Sequence, residues 1–146
     1  MRTEGTNRSP ASEKPAGPDL AFRAMTNPRG ILQVLVPLLL GLGCYMLFRP
    51  DSKFYLGYGI QLPVAAGLIA NLPDGLWAYA FCQALFLCPG SRPLRDSLTV
   101  ALLGTVYELL QGVLIPGSPS LLDVAYYSLA SSTAFILQQK TRPHEH

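Results

Sequence analysis

Glu108 is the residue in this 146-residue chain with the most chemical promise. It is a carboxylate inside an otherwise apolar run, and Gln111 follows it at i+3, so both side chains project from one helical face. The run then meets a Pro116-Gly117-Ser118-Pro119 turn, and Asp123 stands near the start of the next apolar run. Tyr127 lies four residues after Asp123 and shares its face. Asp74 heads another apolar stretch upstream, and Tyr107 and Tyr126 could add further hydroxyls. An ionisable side chain at membrane depth is costly, so it turns inward, takes a partner and marks a site.

Three kinds of chemistry suit such a set. Glu108, Gln111, Asp123, Asp74 and Tyr127 could bind the polar end of an amphipathic or lipid-linked ligand. Glu108 could carry a proton for a small proton-coupled transporter. Glu108 and Asp123 could act as acid and base on a lipid headgroup. The enzyme reading has the least support, since no apolar run contains a histidine and no nucleophile–base pair is visible. A plainer reading makes Asp74 and Asp123 helix caps and Gln111 a packing hydrogen bond between helices. Glu108 resists that reading, because it lies mid-helix with no Lys or Arg nearby in sequence. A protonated Glu108 shared with Gln111 or a tyrosine is the expectation.

Cysteines and histidines add no metal or cofactor motif. Cys44, Cys82 and Cys88 fall in or at the ends of apolar runs without C-x-x-C spacing, and read as small buried hydrophobes. His144 and His146 belong to a polar tail. A net charge of +2 gives no case for nucleic acid.

The elements that must position these residues are helical. With 49% hydrophobic residues and only 14% charged, the composition suits a polytopic all-α membrane protein whose partner is the lipid bilayer. Residues 1–28 are rich in Ser, Thr, Pro, Gly and charge and read as a disordered tail. Residues 30–48 hold no charge and would extend roughly 28 Å as a helix, close to a bilayer core. Further spans are expected at 72–88, 97–115 and 121–138, within a helical membrane domain of 29–139 followed by a tail at 140–146. Residues 71–75 read as a turn and cap before the second span. Segment 54–70 contains three glycines and Pro63, and reads as interfacial or re-entrant. Small residues from Ala130 to Ala134 would let the last helix approach its neighbours closely, or a second copy of the chain.

Basic residues set the topology. With four spans and both termini in the cytoplasm of a cell membrane, nine Lys and Arg lie inside, and only Arg49 and Lys53 lie outside. A fifth span at 54–70 would leave five inside and six outside, so four spans are preferred. The turn at 116–120, Asp74 and Asp123 then face the outer leaflet.

This pattern resembles the VanZ-like family of small integral membrane proteins. The resemblance lies in Glu108-Leu109-Leu110-Gln111, the Ile115-Pro116-Gly117 turn, Asp123 at the next helix and an upstream Leu72-Pro73-Asp74-Gly75-Leu76-Trp77. It covers roughly residues 30–135. It implies four or five spans and a cell-envelope role, such as tolerance to glycopeptides like teicoplanin. Two features depart from the family's pattern. Ser118-Pro119-Ser120 lacks the turn arginine, and Tyr127 stands where an asparagine is usual. A ligand held through that arginine would therefore be lost or changed.

Overall fold

The computed structural model describes residues 27–48, 56, 66–111, 113–114 and 119–141. Among these residues the fold is all-helical, with four helices and no strand. They are α1 (Pro28–Phe48), α2 (Ala66–Phe86), α3 (Pro93–Gln111) and α4 (Leu121–Thr141). α1 and α4 begin within two residues of the expected 30–48 and 121–138, whereas α3 lies four residues earlier than the expected 97–115. Most of the expected N-terminal tail, most of segment 54–70, the turn at 116–118 and residues 142–146 lie outside the described residues.

α2 departs from expectation. Residues 71–75 are helix interior rather than a turn, so α2 starts at Ala66 and takes in the end of segment 54–70. Pro73 sits fully buried inside it. A helical proline lacks the N–H for the carbonyl four residues earlier and loosens the turn before it. In that turn the Leu68 carbonyl accepts a hydrogen bond from the Tyr126 hydroxyl of α4, at 3.0 Å. The carbonyl that Pro73 itself leaves without a helical donor is that of Ile69, so the Tyr126 bond ties α4 to this turn without replacing the missing one. Gly75 brings the two helices together, since a Cβ there would lie 3.0 Å from the Tyr126 ring.

α2 is the central helix. α1 packs on it alone, while α3 and α4 pack on it and on each other. Contacts fix the directions. Gly30 of α1 lies against Leu87, and Gly41 lies against Trp77, where a Cβ would come within 2.6 Å of the indole nitrogen. The Tyr45 and Trp77 rings meet there at 5.7 Å. α1 and α2 are therefore antiparallel. Gly104 of α3 against Tyr127 of α4 makes that pair antiparallel too.

The interior is polar and small; the exterior is apolar. Asp74, Gln83, Asp96, Ser97, Glu108 and Asp123 are all buried, with Ser131. The buried apolar groups are mostly small, with Ala78, Ala80, Cys82 and Ala134 among them. Leu102, Leu103 and Leu109 meanwhile stand 63–65% exposed. By length and composition only α1, near the N-terminus, qualifies as a membrane crossing among the described residues. The other three carry the inward acids, amides and hydroxyls, which lower their average hydropathy.

Antiparallel packing also segregates charge. Every described Lys or Arg (Arg29, Arg92, Arg95 and Lys140) falls at one end of the bundle, where α1 and α3 begin and α2 and α4 finish. Asp74, Glu108 and Asp123 lie toward the other end. Asp96 alone among described acids shares the basic end.

Candidate functional site

The acidic end gathers groups from three helices around Tyr127. Asp74 comes from α2, Glu108 from α3, and Asp123 with Tyr127 from the first two turns of α4. All three carboxylates are close enough to Tyr127 to act electrostatically on its hydroxyl. Glu108, 3% exposed, is bonded through both oxygens. Oε1 accepts from the Tyr127 hydroxyl at 3.2 Å. Oε2 accepts from the Ser120 backbone N–H at 3.1 Å. Ser120 is the N-cap of α4: its carbonyl accepts the first helical bond from Val124, and its hydroxyl accepts from the Asp123 N–H at 3.3 Å. In a capping box the N-cap N–H turns to an acid three residues on. Here Glu108 takes that N–H, and so ties the end of α3 to the start of α4.

Four of the five expected site residues are thus brought together: Asp74, Glu108, Asp123 and Tyr127. Gln111 is half-buried on the last turn of α3 and makes no hydrogen bond to Glu108 or Tyr127. The tyrosine, not the glutamine, is the side-chain partner of Glu108. Asp74 is an interior residue of α2, about two turns past its start, rather than a cap. Such a site offers acceptors and helix-end donors. Among the described residues it has no Cys, His, Asp or Glu cluster able to hold a metal ion.

Two polar groupings at the other end were not singled out from sequence. Inward-facing Ser97 of α3 and Ser131 of α4 lie near enough to Cys82 of α2 to act on its thiol, though neither hydroxyl makes a hydrogen bond of ordinary geometry. The outward hydroxyls Thr99, Thr105, Ser128 and Thr133 instead bond the carbonyl one turn back. The helical spacing of Asp123, Tyr127 and Ser131 was the available signal.

The second grouping surrounds Asp96, in the first turn of α3 and one residue ahead of the apolar run 97–115. Oδ2 accepts from the Ser91 hydroxyl at 2.7 Å and the Arg92 N–H at 2.9 Å, and Oδ1 faces the Arg95 guanidinium at 2.9–3.0 Å. Burial pushes the Asp96 carboxyl up, but the bonds from Ser91, Arg95 and Arg92 outweigh it and hold the carboxyl below its ordinary range. Its stabilisation is therefore complete above the ordinary carboxylate pKa of about 4 and is lost as pH falls through the lower folded value. Asp96→Ala should cost about 1–3 kcal/mol at neutral pH by orphaning the Ser91 and Arg92 donors. Thermal midpoints from pH 7 to 3 check this: the gap between wild type and variant should narrow only in the most acidic samples.

No known protein family, curated protein or solved structure matches this chain.

Proposed function

We propose that all four helices cross a lipid bilayer, and that the Glu108 cluster binds the polar end of an amphipathic or lipid-linked ligand near the outer leaflet. The inverted distribution of side chains carries this reading. In water each leucine left on the surface forgoes about 1.5–3 kcal/mol of burial. A water-soluble bundle would not leave Leu102, Leu103, Leu109 and Leu129 outside while enclosing Glu108, Asp123 and Ser131. In hydrocarbon the same arrangement is the favourable one. The cations at one end agree with that end being cytoplasmic.

The ligand reading follows from the acceptors the cluster gathers. Glu108, Asp74 and Asp123 come together around Tyr127 from three different helices. They suit a ligand that brings hydrogen-bond donors or positive charge, with an apolar body lying against the exposed leucines. Gln111, at the rim, is the first polar group it would meet. The only ground for a cell-envelope role, including glycopeptide tolerance, is the resemblance of the Glu108–Gln111, Pro116–Gly117 and Asp123 motifs to VanZ-like proteins. Tyr127, which replaces the usual asparagine, donates to Glu108 and so has a defined part in this version of the site. A second reading, proton-coupled transport, is favoured by one observation: Glu108 holds the Ser120 N–H, so a proton gained there acts directly on the start of α4.

Impermeant thiol labelling of intact cells tests the topology. Single cysteines replace Pro89 and Pro119, both exposed, in a background without Cys44, Cys82 and Cys88. The expected pattern is labelling at 119 and none at 89 until the cells are opened. The reverse pattern would turn the cluster to the cytoplasm and exclude an outer-leaflet ligand.

A further inference from the structure

An open apolar groove lies between the first two turns of α1 and the end of α2, lined by Ile31, Val34, Leu35, Ala84, Leu87 and Cys88. It is at the basic end of the bundle. Gly30 lets Leu87 close against α1, since a Cβ at that position would lie 2.6 Å from the leucine side chain. Ala84 keeps the groove open by its small size. Ile31 to Leu35 rises about 6 Å, enough for the upper methylenes of one acyl chain.

Two cations stand close to its lining residues in the chain. Arg29 directly precedes Gly30. Arg92 follows Cys88 by four residues, in a turn folded back by the Ser91 N–H on the Cys88 carbonyl. Both are exposed, and neither forms an ion pair with a described residue. Arg95, by contrast, is engaged with Asp96. Among the described residues no acid lines the groove, and Asp96 is already surrounded by donors. A phosphate would therefore meet two arginines, while a headgroup amine would find no carboxylate.

We propose that this groove is a binding site for one anionic phospholipid of the cytoplasmic leaflet, with an acyl chain against Ala84 and Leu87 and the phosphate on Arg29 and Arg92. The proposal rests on the bilayer reading above. Charge complementarity selects the occupant. A basic side chain near an anionic lipid surface contributes a factor of about five, so two give a preference over a zwitterionic lipid on the order of tenfold or more.

Native mass spectrometry of the full-length protein, equilibrated in detergent with equimolar phosphatidylglycerol and phosphatidylcholine, reads that preference. Wild type should retain one phosphatidylglycerol in excess. Arg29→Gln with Arg92→Gln should lose most of the preference at an unchanged thermal midpoint, because both positions are exposed. Ala84→Phe, which fills the groove, should lower retention of both lipids. Equal retention of the two lipids by wild type, or a preference untouched by the double arginine variant, overturns the site. Alkaline-carbonate extraction separates this from the premise. Protein that stays in the membrane pellet without lipid preference sinks the groove alone, whereas protein released to the supernatant sinks the bilayer reading itself.

Discussion

Glu108→Ala should lower the stability of the bundle by about 2–3 kcal/mol, because it orphans the buried Tyr127 hydroxyl and the half-buried Ser120 N–H. A fall of this size shows as a lower thermal midpoint in detergent, and α4 should open first, since its N-cap loses the contact to α3. Glu108→Gln should behave differently. Its amide oxygen can take the Ser120 N–H, and its NH2 can donate to the Tyr127 oxygen once that hydroxyl turns away. The cost should stay within about 1 kcal/mol. Tyr127→Phe removes the partner from the other side and leaves Oε1 facing the ring edge. A double-mutant cycle of Glu108→Ala with Tyr127→Phe should give a coupling on the order of 1 kcal/mol. A null coupling would mean that the two side chains do not meet in the bilayer. Glu108→Gln separates the functional readings. If Glu108 shuttles a proton, Glu108→Gln abolishes transport although the protein is stable. If Glu108 binds a ligand as a neutral acid, the amide keeps much of the binding.

The convergence of Asp74, Glu108, Asp123 and Tyr127 was legible because each stands at a helical position that can be counted, and because buried acids are rare enough to attract attention. The all-α architecture was legible for a similar reason: long runs with little charge leave few other solutions. The choice between Gln111 and a tyrosine as the partner of Glu108 was not legible, because i+3 spacing places two side chains on one face without deciding which partner wins. The tyrosine arrives from another helix, and its reach depends on Gly104, whose role is invisible until α3 and α4 are packed. Residues 71–75 were misjudged because Asn, Pro, Asp and Gly together carry every local signal of a turn. The helix there is set by packing: Pro73 is fully buried, and Tyr126 of α4, 58 positions from the Leu68 carbonyl it bonds, lies against Gly75, so local chemistry gave no warning. The Cys82, Ser97 and Ser131 grouping shows the same limit, since small hydroxyls carry no sequence signature until their facing is known.

Gly104 should be the least replaceable position in the interface between α3 and α4. A Cβ there would lie 2.6 Å from both Cγ and Cδ2 of Tyr127 and 3.1 Å from Cδ1. Contact with Cγ matters most, because that atom is the root of the ring and cannot be moved by rotating the side chain about its own axis. Gly104→Ala must therefore push the two helices apart or swing the ring off its rotamer, at a cost of about 1–3 kcal/mol for overpacking. The better helix propensity of alanine recovers at most about 1 kcal/mol of this. Gly43 of α1 is the control, since nothing lies within 4 Å of its Cβ position. Gly43→Ala should be neutral or slightly stabilising, through propensity alone. Melting curves of the two variants in one detergent should move in opposite directions. The damage at 104 should also be relieved by Tyr127→Ala, which removes the ring, so the double variant should be more stable than the sum of the two single losses. It would still lack the hydroxyl on Glu108. Packing would return without the site, and a ligand assay on that double variant would show how much of the binding depends on the Tyr127–Glu108 bond rather than on the spacing of α3 and α4.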